Sequence, residues 1–358
     1  MAETRGYLHQ PGLHCGSTAL RNLLAGRGLA LSEPLLFGLG AGLGFSLHDG
    51  ARGLTPPMPE RFFVGRSLSY EEDLCAGLGL RLEVLRFDSS AAALREAQTR
   101  IAAGEPVLAF TDLFHLPYLG ARGHWFGHLI ALAGTADGRD TSDLPRTFLV
   151  GDNERAQLEP VPRSSLEAAL SAASAAPSRE CVLLALHDVH PLEEDALREA
   201  VRRALALQGR QLRTPRRLPH AVWRGTLSLE GIAALRDLPD ELRSWQGAAD
   251  LGRRLRFAAQ VIEVRGNGGG LFRRLYARFL REAESLGVRE AGPLAPLCLS
   301  AADAFTALAR ELERLRSDLL HANDRPPPLE LEPAARLAHE VAAAEEALLM
   351  ALEELPAR

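Results

Sequence analysis

The 358-residue sequence contains no lysine, and all 41 of its basic residues are arginine. This absence excludes chemistry that depends on a lysine side chain, namely Schiff-base formation, a lysine general base and the Walker-type phosphate loop. The arginines form no clustered basic tract, and the net charge is −5. Because nucleic-acid binding requires a concentrated basic surface, we expect no nucleic-acid partner.

Cysteines are few and widely separated. The chain has Cys15, Cys75, Cys181 and Cys298, with no Cys-x-x-Cys pair among them. This spacing argues against a disulfide scaffold and against a zinc ribbon. Cys75, Cys181 and Cys298 lie in apolar runs, where a cysteine commonly serves as a small packing residue.

Long apolar runs are also missing. No uninterrupted run reaches the length of a membrane span, and the first residues do not have the pattern of a signal peptide. We therefore expect a cytoplasmic protein without a membrane partner. The hydrophobic fraction of 46% and the charged fraction of 24% are those of an ordinary globular protein long enough for two domains.

The front half mixes helical and strand patterns. Apolar spacing predicts helices at residues 14–27 and 33–37, and the Gly- and Pro-rich residues 48–65 predict a surface loop. Strands are predicted at residues 80–87, 106–110, 129–133, 147–150 and 181–186. The strands 129–133 and 147–150 form a hairpin whose polar turn includes residues 137–140.

After about residue 193 the strand signal largely stops. Amphipathic helices are predicted at residues 194–207, 228–236, 247–262, 271–286, 299–322 and 333–354, and residues 208–219 are predicted as an extended connection. We therefore predict an α+β fold in two domains. The first covers residues 1–193, and the second, residues 194–358, is all helical.

Cys15 stands immediately before an amphipathic run in which Ala19, Leu20, Leu23 and Leu24 recur at helical spacing. Either Ser17 or Cys15 itself suits the N-cap region of that helix. A thiol at a helix N-terminus faces unpaired backbone N–H groups and the positive end of the helix dipole, which favour its thiolate. Cys15 is therefore a candidate nucleophile.

Two further residues complete a candidate catalytic triad with Cys15. His128 opens the predicted strand 129–133, and Asp152 follows the predicted strand 147–150. If these strands pair, His128 can take the thiol proton while Asp152 orients the imidazole. The order Cys, His, Asp, with the cysteine on a helix and its partners on a sheet, is that of papain-like enzymes. Gln10 is placed to donate into an oxyanion hole together with the Cys15 N–H.

Other chemistry remains open at this stage. His124 could replace His128 as the base, and His14 adjoins the cysteine. A zinc site formed by His124, His128 and a carboxylate competes with the triad, although a glycine-flanked strand entry suits it poorly. We predict no metal.

Several blocks of the sequence resemble the butirosin-biosynthesis protein H family. The first runs from His14 to Leu24, and it is followed by Leu31-Ser32-Glu33 and by the stretch from Leu36 to Phe45. Later blocks contain Asp112, Leu116-Pro117-Tyr118, Gly127-His128 and Val150-Gly151-Asp152. Residues 265–276, which include Gly268-Gly269-Gly270, resemble the helical domain that commonly accompanies the family.

This resemblance implies a papain-like fold and an acyltransferase. In such an enzyme an acyl group moves from a carrier-protein thioester, through the cysteine, to an amine in natural-product biosynthesis. The implied partners are an acyl carrier protein or another thioester donor and an amine-bearing small molecule. No cofactor is implied beyond the phosphopantetheine arm of the donor. A homo-oligomer is compatible with the sequence.

The resemblance and local patterns also suggest residues that bind substrate. Glu33 is either a first-turn acid of its helix or a ligand of the acceptor amine, and Asp112 and Tyr118 are either pocket or packing residues. Trp125 either walls an acyl channel or belongs to the core. The glycines of residues 266–270 open a helix, and with Arg273 they form either an anion site or a tight connector.

Two functions from other classes compete with acyl transfer. A peptidase or thioester hydrolase would use the same triad with water as the acceptor, and a binding module would keep the fold without the chemistry. The complete set of Cys15, His128 and Asp152 speaks against the binding module. We expect the helical half to pack over or beside the cysteine and to exclude water, as transfer requires.

Overall fold

The computed structural model describes residues 6–136, 144–174, 180–215, 227–321 and 330–355. The predicted turn at 137–140 and the end of the predicted connection, 216–219, lie outside these ranges. The helices are α1 (Cys15–Ala25), α2 (Glu33–Leu39), α3 (Tyr70–Gly77), α4 (Ser90–Ala103), α5 (Arg163–Ser174), α6 (Glu194–Arg213), α7 (Ile232–Ser244), α8 (Leu251–Glu263), α9 (Arg273–Ser285), α10 (Leu294–His321) and α11 (Glu332–Glu353). The strands are β1 (Leu43–Asp49), β2 (Arg61–Arg66), β3 (Arg81–Phe87), β4 (Val107–Thr111), β5 (His128–Thr135), β6 (Thr147–Gly151), β7 (Glu159–Pro162), β8 (Cys181–His187) and β9 (Leu227–Glu230).

A six-stranded antiparallel sheet in the order β3-β8-β4-β5-β6-β7 forms the centre of the front half. Successive side chains of a strand point into different cores on the two faces of this sheet. In β5, Ile130 and Leu132 pack in the core that includes residues of α4 and α5, whereas Leu129 and Ala131 pack in the core that includes residues of α1. The predicted α+β fold, with the cysteine-bearing helix on an antiparallel sheet, is confirmed.

A second sheet joins the two halves of the chain. It has the order β2-β1-β9, so that a strand from the rear half pairs with β1 of the front half. Two predictions are therefore wrong. The surface loop predicted at 48–65 ends in β2, because Phe62, Phe63 and Val64 are buried on both faces of this short strand. The helix predicted from residue 228 begins only at Ile232, after β9.

The rest of the rear half is a helical bundle. Helix α10 packs against α8, α9 and α11, and α6 extends through Arg213, where an extended connection was predicted. The segment Arg289–His321 is long and apolar enough to cross a membrane by length and composition alone. Its apolar face, which includes Phe305, Leu308 and Leu312, is buried in the bundle as in a core helix.

A buried ion pair ties this bundle to the small sheet. The Arg273 side chain is fully buried, and its Nε and Nη2 donate to the Glu345 carboxylate at 2.6 and 3.0 Å. Nη1 donates to the carbonyls of Gly65 and Leu271, and Nη2 also donates to that of Gly44. These bonds use every donor hydrogen of the guanidinium group. Arg273 therefore has a structural position and does not bind substrate, which corrects its predicted role.

We expect Arg273→Ala to lower the free energy of unfolding by about 3–5 kcal/mol, because it leaves the Glu345 carboxylate buried without its partner. Urea denaturation measures this loss. The control is Arg274→Ala, which removes a partly exposed ion pair with Asp303 and should cost about 0–1 kcal/mol. Equal, small effects of the two substitutions would contradict the structural role.

Candidate active site

Cys15 is the first residue of α1, and His14 is the N-cap. The Nδ1 atom of His14 accepts a hydrogen bond from the Ser17 backbone N–H at 3.2 Å. The sequence predicted Ser17 or Cys15 for this cap, and the structure assigns it to an imidazole. Since Cys15 is the first residue of α1, its sulfur lies at the positive end of the helix dipole.

The Glu33 carboxylate fixes the chain in front of Cys15. It accepts hydrogen bonds from the backbone N–H groups of Leu13 and His14 at 2.9 and 2.8 Å. It also accepts from the hydroxyls of Ser17 and Thr18, each at 3.0 Å. The side chain is buried and committed to these donors. This corrects the prediction that Glu33 binds the acceptor amine: it positions the helix that carries the cysteine.

The sheet brings His128 and Asp152 together. His128 opens β5 and Asp152 follows β6, and the register sets Ala131 opposite Gly151. The His128 Nε2 lies 2.7 Å from Asp152 Oδ2. The same ring interacts with the Cys15 thiol, and each group shifts the pKa of the other. Because Asp152 occupies Nε2, Nδ1 is the ring nitrogen left for the sulfur.

These contacts favour a thiolate–imidazolium pair. Burial alone would raise the pKa of the Cys15 thiol, but His14 and His128 hold this pKa well below its ordinary value. Burial alone would lower the pKa of His128, but Asp152 and Cys15 raise it well above its ordinary value. Burial likewise opposes ionisation of Asp152, yet the contact with His128 lowers the pKa of Asp152 to about 2. The site can therefore hold a reactive sulfur near neutral pH.

A cavity of about 490 Å³ opens beside Cys15 and His128. Both halves of the chain line it. Its apolar walls include Leu113, Leu119 and Trp125 from the front half and Val261, Val264 and Phe272 from the rear half. Polar and charged side chains on its walls include Arg66, Asn153, Glu154 and Arg265. The helical half thus lies beside the cysteine, as expected from the sequence.

Asp112 and His124 pair with each other outside this cavity. The His124 Nδ1 lies 2.5 Å from Asp112 Oδ2, and its Nε2 lies 3.2 Å from the Thr55 carbonyl oxygen. Asp112 Oδ1 accepts from the Trp125 backbone N–H at 2.9 Å. The prediction that Asp112 contacts substrate is corrected: it joins the two ends of the loop before β5. His124 is likewise held away from Cys15, which favours His128 as the base.

The structure does not bring His124 and His128 to a shared carboxylate, as the alternative zinc site requires. His124 and His128 contact different carboxylates, Asp112 and Asp152. Donor atoms of Asp112, His115 and His124 do lie within 4.8 Å of one another. The 2.5 Å contact between His124 and Asp112 is nevertheless a hydrogen-bond distance, whereas two ligands of a tetrahedral zinc ion are about 3.3 Å apart. As placed, these side chains form a hydrogen-bonded pair.

Tyr118 and Trp125 have different environments. The Tyr118 hydroxyl donates to Asp152 Oδ2 at 2.7 Å, and the side chain does not line the cavity, which corrects its predicted contact with substrate. Trp125 does line the cavity, and its ring packs against Phe62 and Phe257 with centroid distances of 6.3 and 5.7 Å. A role for Trp125 in binding an acyl chain remains a prediction.

Gln10 is exposed and does not line the cavity. Its backbone carbonyl accepts from the Arg21 guanidinium at 2.7 Å and from the Asn22 amide at 2.8 Å. The predicted oxyanion-hole role of Gln10 is therefore corrected. The other predicted oxyanion donor, the Cys15 backbone N–H at the start of α1, remains a prediction.

The glycine-rich segment of residues 266–270 is a tight connector. Gly266, Gly268, Gly269 and Gly270 all have positive φ, which favours glycine. The Gly269 N–H donates to Asn267 Oδ1, and the Gly270 N–H donates to the Glu263 carboxylate. Because these N–H groups already have acceptors, one of them a carboxylate, the alternative of an anion site is not supported. Helix α9 accordingly starts at Arg273 and not at Leu271.

Sequence reasoning missed several residues of the cavity. Asn153 and Glu154 directly follow the predicted Asp152, so a cluster of polar residues at the strand end could have indicated them. Arg66 and Phe272 gave no such signal, because only the tertiary fold brings β2 and the start of α9 to Cys15.

Comparison with known proteins agrees with the resemblance seen in the sequence. Residues 14–142 match the family described as "Butirosin biosynthesis protein H, N-terminal", and residues 164–352 match a "Domain of unknown function (DUF4872)". The first match contains Cys15 and His128, and Asp152 lies between the two matched regions. No curated protein matches the chain significantly.

We expect Cys15 to be alkylated by iodoacetamide with a midpoint well below the pKa of about 8.5 of a free cysteine. Intact-mass spectrometry across a pH series measures this. His128→Ala should move the midpoint upward, since it removes the imidazolium that stabilises the thiolate. The blank is Cys15→Ala, because Cys75, Cys181 and Cys298 are buried. An ordinary midpoint in the unaltered protein would contradict the thiolate.

Proposed function

Because the chain belongs to the family that joins the N-terminal domain of butirosin biosynthesis protein H to the DUF4872 domain, we propose that it is a cysteine-dependent acyltransferase. Family membership indicates a biosynthetic, acyltransferase-like enzyme. The finer proposal is that an acyl group passes from a thioester, through Cys15, to an amine. The observation that carries it is that Cys15 and His128 line the same cavity, with Asp152 hydrogen-bonded to His128 behind it.

The first half-reaction acylates the enzyme. The Cys15 thiolate attacks the thioester carbonyl, and the Cys15 backbone N–H stabilises the oxyanion of the tetrahedral intermediate. The intermediate collapses by breaking the bond to the donor sulfur, which takes the proton held by the His128 imidazolium. Asp152 remains ionised throughout and holds the imidazole in orientation.

The second half-reaction transfers the acyl group. The acceptor amine attacks the acyl-Cys15 carbonyl while neutral His128 removes the proton that the nitrogen gives up. Collapse of this second intermediate forms the amide and releases the Cys15 thiolate. The protonated His128 and the thiolate then restore the starting ion pair.

The cavity supports a donor carried on a phosphopantetheine arm, with no cofactor of the enzyme itself. Its rim carries Val264, which is 74% exposed, next to the exposed Arg265. A slender thioester arm can enter past this rim, and the apolar walls suit an acyl chain. An acyl carrier protein or another thioester is thus the proposed donor, in a cytoplasmic protein without a membrane partner.

Glu154 is the proposed contact for the acceptor amine. Glu33, the carboxylate suggested for this role, and Asp112, suggested as a pocket residue, are both engaged elsewhere. Glu154 instead lines the cavity and is exposed at its rim. An acid at the entrance attracts a protonated amine before it loses its proton to the site.

Hydrolysis is the second candidate. The exposed rim at Val264 and Glu154 gives water a path to the acyl-enzyme, which favours a thioesterase or peptidase. The apolar walls of the cavity favour transfer, because they bind few ordered waters near the sulfur.

A partition experiment separates the two candidates. We expect an acyl-enzyme on Cys15, formed from an acyl thioester of pantetheine or carrier protein, to decay faster as an amino sugar, polyamine or amino acid is added. The amide should form at the expense of free acid. Mass spectrometry follows both products, with Cys15→Ala as the blank. Free acid appearing at one constant rate, whatever the amine, would mean a hydrolase.

Glu154→Gln should raise KM for a cationic amine acceptor by roughly 3–10-fold while kcat changes little, since it removes attraction and not chemistry. Steady-state kinetics with varied acceptor measure this. Glu340→Gln, an exposed acid of α11, is the matched control. An unchanged KM would assign amine binding to other residues.

A further inference from the structure

Tyr118 shares an oxygen of Asp152 with His128. The Tyr118 hydroxyl and the His128 Nε2 each lie 2.7 Å from Asp152 Oδ2. We propose that Tyr118 is a positioning residue, which holds the Asp152 carboxylate where it can orient His128 towards Cys15. The proposal extends the three-residue chain of Cys15, His128 and Asp152 by a fourth member.

The hydroxyl can serve only as a donor here. Burial raises the pKa of Tyr118, and the negative charge of Asp152 raises it further, so that the proton stays on the phenol. Asp152 Oδ1 accepts the Glu154 backbone N–H at 3.0 Å. Each carboxylate oxygen thus has a fixed donor besides the imidazole. Without the phenol, Oδ2 would keep His128 as its single partner among these contacts, and the carboxylate plane could turn.

The turn that carries Tyr118 also contributes to the cavity wall. It lies in a short 3-10 turn, Pro117–Leu119, and its neighbour Leu119 lines the cavity. The Arg155 guanidinium lies over the Tyr118 ring, 5.5 Å from its centroid, at cation–π distance. The same turn therefore forms part of the cavity wall and reaches the carboxylate behind His128.

A purely structural role for Tyr118 predicts a different effect on the kinetic constants. If Tyr118 only supported the turn, its loss would disturb Leu119 and raise KM for the donor. If it acts through Asp152, its loss lowers the reactivity of Cys15 and kcat, and KM stays unchanged. The two roles are thus separable by measurement.

The test is Tyr118→Phe, which keeps the ring and removes the hydroxyl. We expect alkylation of Cys15 by iodoacetamide near neutral pH to slow by roughly 10–100-fold, as for the loss of one hydrogen bond to a charged group. In the acyl-transfer assay kcat should fall by a similar factor at constant KM. The matched control is Tyr276→Phe, whose buried hydroxyl has no hydrogen-bond partner among the described residues and lies outside the cavity.

A double-mutant cycle decides whether the effect passes through Asp152. In an Asp152→Asn background, Tyr118→Phe should cause no further slowing, because the group on which it acts is gone. An equal loss in both backgrounds, or an unchanged alkylation rate in Tyr118→Phe alone, would overturn the proposal. The inference rests on Cys15 as the proposed nucleophile, but alkylation requires neither donor nor amine. Failure of acyl transfer would therefore leave this result standing.

Discussion

The arrangement of the site depends on one buried carboxylate that touches none of the reacting atoms. Glu33 accepts hydrogen bonds from two backbone N–H groups and two hydroxyls at the start of α1. These bonds satisfy donors that a helix start would otherwise leave unpaired. They also hold the backbone on both sides of Cys15 in place. The sheet independently fixes His128, so the distance between sulfur and imidazole follows from where α1 packs on β5.

A second constraint sets the far wall of the cavity. The Arg273 guanidinium donates all five of its N–H groups, to the Glu345 carboxylate and to the carbonyls of Gly44, Gly65 and Leu271. It thereby holds the start of α9 against β1 and β2. Phe272, the residue before it, lines the cavity together with residues of β2. A charged side chain that resembles a binding group in the sequence thus acts as an internal connector.

The sequence was sufficient for features that depend on neighbours along the chain. Helical spacing gave α1 and α2, alternation gave β3, and the hairpin of β5 and β6 placed His128 near Asp152. It was insufficient where the deciding contact was remote. Phe62 and Phe63 of β2 lie in a stretch rich in glycine and proline, which masked the strand pattern. The sequence suggested substrate contacts for Glu33, Asp112, Tyr118 and Arg273 because it does not show the protein groups on other elements that bind them. A polar residue in a motif shows that a bond is needed, but the fold decides to which atom.

The pairing of β9 with β1 has a consequence for how such a protein can change over time. A chain cut after residue 193 would leave β1 with a bare edge, where unpaired backbone groups invite aggregation. The same cut would remove Val261, Val264 and Phe272 from one side of the cavity. The front half is thus not a self-sufficient module to which a helical accessory was added. Because both halves line this cavity, a substitution in either half that alters its walls changes a site that the other half also forms.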